Sequence, residues 1–117
     1  MTAQDNLNGV QFYHSSRSAQ FPGSDWVHVG TRTAAENRAK DWAQHDPSSA
    51  PVYMHTVSLT GRPSLATETD DTANYLEKHP EHIGAKITPY TNEYEDPGTT
   101  SYLAHRSTVT SVHTERL

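Results

Sequence analysis

The chain has 117 residues, a formal net charge of −5, only 32% apolar residues and no cysteine, against a usual apolar share of about 45–50%. The missing cysteine excludes disulfide frameworks and thiolate metal sites and fits a reducing compartment. The lack of any Lys/Arg block argues against a sequence-independent grip on nucleic acid.

Met1–Asn8 reads as a flexible polar lead ahead of a single domain over 9–117, with neither the basic region nor the apolar run of a signal peptide. No stretch approaches the ~20 apolar residues of a membrane span, so a soluble cytoplasmic protein is expected. Gly9–His14 reads as a strand, with Val10 and Phe12 on one face and Gln11 and Tyr13 on the other. Ser15–Asp25 is a loop with Pro22-Gly23 as its turn signal, and Trp26–Gly30 a short second strand. Thr33 and Glu36 form a capping-box pattern opening a helix to about Gln44, with Ala35, Ala39, Trp42 and Ala43 on one face and Asp46-Pro47 as its end. Pro51–Leu59 alternates most clearly and is the strongest strand. After a turn at Gly61-Arg62-Pro63, Asp70 or Asp71 is expected to cap a short helix ending near His79-Pro80. Ala85–Thr91 is a strand whose Pro89 suggests an edge or a bulge. Ser101–Arg106 and Thr108–His113 read as one or two closing strands. Strands with two short helices indicate an α+β domain with a split, two-sheet β core.

Between the last two segments lies an acidic turn, Asn92-Glu93-Tyr94-Glu95-Asp96-Pro97-Gly98. Asp-Pro-Gly is a common turn sequence, yet three carboxylates beside a buried strand exceed what a turn needs. Two upstream strands end in Tyr13-His14-Ser15-Ser16 and His28-Val29-Gly30-Thr31, and together with the turn they suggest a split-sheet site for a sugar or nucleotide. Eight histidines in this length offer acids, bases or ligands near neutral pH. His14, His28, His55 and His105 fall on expected strands; His45, His79, His82 and His113 fall at element ends. His79-Pro80-Glu81-His82 lacks a second ligand pair, so no metal site is expected. There is no Gly-x-Ser-x-Gly elbow, P-loop or Gly-x-Gly-x-x-Gly, which excludes ordinary serine hydrolases and phosphate cradles.

The segments Tyr13-His14-Ser15-Ser16, His28-Val29-Gly30-Thr31 with Ala34-Ala35 and Arg38-Ala39, Pro51–Leu59, and Tyr90–Gly98 with Ser101-Tyr102-Leu103-Ala104 follow one another in an order that resembles the ADP-ribosyltransferase-like family, small phage or prokaryotic mono-ADP-ribosyltransferases in particular. The resemblance runs from about Gln11 to Val112. It implies that fold, NAD as substrate, and transfer of ADP-ribose to a protein or nucleic-acid acceptor in the cytoplasm, that of a host if the chain is phage-encoded. By the same resemblance His14 bonds a ribose hydroxyl, the Ser15 backbone pairs with the nicotinamide amide, and His28 stands where relatives carry tyrosine. Gly30 leaves room for the ring, Thr31 or Thr33 starts the helix behind it, and Glu95 or Glu93 supplies the catalytic carboxylate. Many relatives carry that Glu at the head of the last core strand, where this chain has Ser101. This departure leaves open a non-catalytic module binding NAD, ADP-ribose or RNA ends. The pair His14–His28 also resembles RNA 2′-phosphotransferases of the same fold, with Arg17 and Arg38 as possible phosphate ligands.

Overall fold

The computed structural model describes residues 7–45 and 51–117, with the side chain of His45 left aside; residues 1–6 of the expected lead and the expected helix end at Asp46-Pro47 lie outside them. Seven strands and two α-helices follow in the order β1 (Gln11–Ser16), β2 (Trp26–Val29), α1 (Arg32–His45), β3 (Tyr53–Leu59), β4 (Glu68–Thr69), α2 (Asp70–Lys78), β5 (Ile87–Thr91), β6 (Thr100–His105) and β7 (Val109–Arg116). They form an α+β fold with two sheets, of strand order β1-β3-β7 and β2-β6-β5-β4.

Alternation decides which residues the sheets bury. Val27 and Val29 of β2 pair with Ala104 and Tyr102 of β6, and Ile87 of β5 pairs with Ala104. This row joins Phe12, Val57 and Leu59 of the other sheet in the main core. The opposite face of the four-stranded sheet carries Leu103 and Tyr90, which pack with Ala73 of α2. Pro89 is tolerated within β5 because β4 is only two residues long and pairs with Tyr90 and Thr91, leaving the ladder beyond Pro89 unextended.

Several local expectations are corrected. Leu7, assigned to the lead, is buried in the main core, and its N–H donates to the Gly61 carbonyl at 2.9 Å. The α1 cap is Thr31 rather than Thr33: its hydroxyl accepts from the Ala34 N–H at 3.0 Å. Ala34 and Ala35 make the buried face of α1, whereas Ala43 is exposed. Thr69, not Asp70 or Asp71, caps α2 by accepting from the Thr72 N–H at 3.1 Å. The two aspartates sit in its first turn, where the helix dipole favours negative charge.

The two sheets touch where β1 and β2 run alongside each other for one residue pair only. Tyr13 and Gly30 exchange backbone hydrogen bonds of 2.9 and 3.0 Å, and beyond that bridge the strands part. This split positions the site.

Candidate functional site

At the split, the His14 Nδ1–H donates to the His28 carbonyl at 2.7 Å, so the imidazole spans the gap that the backbone leaves open. The bond fixes the neutral tautomer with Nε2 as the acceptor nitrogen. Burial, with further help from the Arg38 charge, lowers the His14 pKa to about 4, so the ring is uncharged near neutral pH.

His28, Ser101 and Leu103 share the α2-facing side of their sheet with Tyr90. His28 Nδ1 lies 2.8 Å from the Tyr90 hydroxyl, and the rings meet edge to face at 5.5 Å. On its other side, His28 Nε2 lies 3.2 Å from Glu77 Oε1. That contact is an ion-pair approach off the line of a hydrogen bond, so the buried Nε2 has no hydrogen-bond partner. The His28 contact, the leading cause, holds the Glu77 carboxyl below its ordinary pKa. Burial, then the Asp70 and Glu95 carboxylates, push the Tyr90 phenol well above its ordinary value.

The acidic turn is built around Asn92, a buried amide absent from the sequence-based site. Its Oδ1 accepts from the N–H groups of Glu95 and Asp96, both at 2.9 Å, and its Nδ2 donates to Ser101 Oγ at 3.1 Å. Two further bonds tie the turn to α1: Asn37 Nδ2 donates to the Glu95 carbonyl at 2.6 Å, and the Thr31 hydroxyl donates to Asp96 Oδ2 at 2.7 Å. A turn anchored at this many points is part of the fold rather than a solvated hairpin tip.

Glu95, so held, lines the cleft together with His14, Ser15, His28, Gly30, Arg38 and Ser101. An inner chamber of about 30 Å³ opens between α1 and the split. Ser15 lines it, and its fully buried hydroxyl has no hydrogen-bond partner. An outer cavity of about 260 Å³ extends toward α2, walled by His14, His28, Asp70, Glu77, Tyr90 and Glu95. Arg38 borders both, with its guanidinium 4.9 Å from the Trp42 ring centre, a cation–π contact.

The structure therefore brings together His14, Ser15, His28, Gly30, Glu95 and Ser101 and leaves three expected residues outside the cleft lining. Glu93 is exposed, its N–H donates to Asp70 Oδ2 at 3.0 Å, and it takes no part in lining either cavity. Thr31 serves as helix cap and Asp96 partner. The Arg17 guanidinium lies 6.0 Å from the Trp42 ring. The room above Gly30 is taken by Ser101: a Cβ at Gly30 would lie 2.5 Å from Ser101 Oγ. Asp70 and Glu77 of α2 and Tyr90 of β5 also wall the cleft, though none was assigned to the site from sequence. Among the described residues no group of three or more His, Cys, Asp or Glu side chains could hold a metal ion, and no helix is long and apolar enough to cross a membrane. Comparison with protein-family models, with curated proteins and with solved structures finds no match to this chain.

Proposed function

We propose that this chain is an NAD-dependent mono-ADP-ribosyltransferase of the ADP-ribosyltransferase-like fold, taking NAD as substrate and passing ADP-ribose to a macromolecular acceptor. One observation carries the reading: His14, His28, Ser101 and Glu95, distant in sequence, line one cleft at the split between the sheets. Breaking the nicotinamide–ribose bond develops positive charge on the ribose, which a preorganised carboxylate stabilises. Glu95 is that carboxylate, its backbone fixed by Asn92 and Asn37. Neutral His14 offers Nε2 as acceptor for a ribose hydroxyl, a role that a protonated ring would not fill. The inner chamber admits a group about the size of a water, so the body of a nicotinamide is assigned to the outer cavity. Within the chamber the unpartnered Ser15 hydroxyl is left for a polar tip of the ligand.

Glu95→Gln, nearly isosteric, is expected to lower nicotinamide release from NAD by roughly 10²–10³-fold, the scale of losing one electrostatic contact to the transition state. Binding of NAD, followed by thermal shift, is expected to survive. Equal turnover by the variant and the natural chain would overturn the assignment. Ser101 at the head of β6 favours a second reading, a binding module without chemistry. Stabilisation by NAD or ADP-ribose with no nicotinamide release identifies that module. A 2′-phosphotransferase gains less support, since Arg17, one of its two expected arginines, is not among the residues lining these cavities.

A further inference from the structure

The outer cavity contains a chain of groups, two of which, Glu77 and Tyr90, have no assigned part in holding NAD. Glu77 of α2, His28 of β2 and Tyr90 of β5 follow one another, with contacts of 3.2 Å and 2.8 Å, and all three line the cavity. The contacts are mutually consistent in one proton arrangement: the Tyr90 O–H donates to His28 Nδ1, and His28 Nε2 carries the proton facing the Glu77 carboxylate. The order carboxylate, imidazole, hydroxyl is that of a general-base relay.

We propose that Glu77, His28 and Tyr90 form a proton relay that deprotonates the acceptor, and that the acceptor is accordingly a hydroxyl or N–H nucleophile rather than a carboxylate. The inference rests on the transferase reading and extends it from the donor to the acceptor. As the lone pair of the acceptor bonds to the ribose C1′, the C1′–N bond breaks and its electron pair leaves with nicotinamide. The acceptor proton passes to the Tyr90 oxygen while the Tyr90 proton passes to His28 Nδ1, giving an imidazolium paired with ionised Glu77. No phenolate forms, in keeping with the raised pKa of Tyr90. The Glu77 side chain is 42% exposed, so the proton has an exit to solvent. Tyr90 is the catalytic residue; His28 and Glu77 act through it.

Water is itself a hydroxyl nucleophile, so hydrolysis of NAD by the full chain tests the relay without knowledge of the natural acceptor. Azide is the decisive contrast, because it attacks without a proton to lose. Tyr90→Phe is expected to slow hydrolysis by roughly 10²-fold, the scale of general-base catalysis, with the loss in kcat. Azide is expected to restore nicotinamide release in Tyr90→Phe but not in Glu95→Gln. Glu77→Gln, altering a half-exposed side chain, is expected to give a loss of the same kind but smaller.

Hydrolysis by Tyr90→Phe at the natural rate overturns the relay while leaving Glu95 in place. So does a loss in that variant that azide fails to restore. A ¹⁵N imidazole spectrum showing Nδ1 of His28 protonated overturns it independently of any activity. Turnover unaffected by Glu95→Gln overturns the transferase reading instead.

Discussion

Two histidines, one in each sheet, show how the fold separates structure from site. His55, in the centre of the three-stranded sheet, is fully buried and bonded at both nitrogens, to Ser16 Oγ at 2.7 Å and Thr114 Oγ1 at 2.8 Å. The Ser16 hydroxyl in turn donates to the Ser18 carbonyl, which closes the network. His28, in the four-stranded sheet, has one satisfied nitrogen and one that lies 3.2 Å from the Glu77 carboxylate without a hydrogen bond. His55 is fully buried and His28 half-buried, and completeness of the hydrogen bonding separates their roles. The closed network holds strands together, and the open one has capacity left for a ligand or a proton. His14 stands between them, stacked 6.1 Å from His55 and bonded to the backbone of His28.

The contrast breaks most directly at His55. His55→Ala leaves the Ser16 and Thr114 hydroxyls without their ring partner and opens a cavity between β1, β3 and β7. Such losses cost about 2–4 kcal/mol, so the midpoint of thermal unfolding is expected to drop by roughly 10 °C. NAD turnover per folded molecule is expected to stay unchanged. If turnover falls while stability holds, His55 belongs to the site and the contrast is wrong.

Acid sharpens the same contrast, because both His14 and His55 are held neutral. Burial is the leading cause for each, bringing His14 to about 4 and shifting His55 in the same direction. The unfolded chain binds a proton below pH 6.5 that folded His14 refuses until about pH 4. The resulting stability is complete above pH 6.5, declines as pH falls, and is lost at about pH 4. For His14 its size is about 3 kcal/mol. Denaturant titrations across this window are expected to show that decline, with His14→Gln flattening part of it. A variant with the same slope as the natural chain would show that His14 already titrates normally in the fold.

Much of this frame was legible from residues alone. Alternation in Pro51–Leu59 and Trp26–Gly30 predicts strands that the structure contains within two residues, because a half-buried strand writes its register into sequence. Tyr13-His14 and His28-Val29 marked the two edges of the split correctly. Caps were misread where two candidates competed: Thr31 and Thr33, or Thr69 and Asp70, differ in sequence by too little to separate, and tertiary contacts chose. Leu7 was missed because a single apolar residue has no period. Glu93 and Glu95 were interchangeable in sequence, and the amide of Asn92, bonded to the Glu95 N–H, settles which one faces the cleft. Glu77 and Tyr90 were invisible for a different reason: their meeting with His28 depends on α2 crossing the sheet, which no local pattern records.

The finest test of the open side lies where Ser101 stands at the place expected of a glutamate. Ser101 fills the room above Gly30, and its hydroxyl takes a bond from Asn92, the residue that also fixes the Glu95 turn. A methyl at Gly30 would meet Ser101 Oγ at 2.5 Å and its Cβ at 3.3 Å. Rotating the hydroxyl removes only the first contact, and doing so breaks the Asn92 bond. Gly30→Ala is therefore expected to cost about 1–3 kcal/mol and to weaken NAD binding as the Glu95 turn loosens. Ser101→Gly removes both clashing atoms, so the double variant is expected to be more stable than the sum of the single losses, with a coupling of about 1 kcal/mol. Strict additivity in a denaturation cycle would mean that Gly30 and Ser101 do not share this space. A coupled recovery of stability without recovery of NAD binding would separate the two tasks of Ser101, packing against Gly30 and holding Asn92.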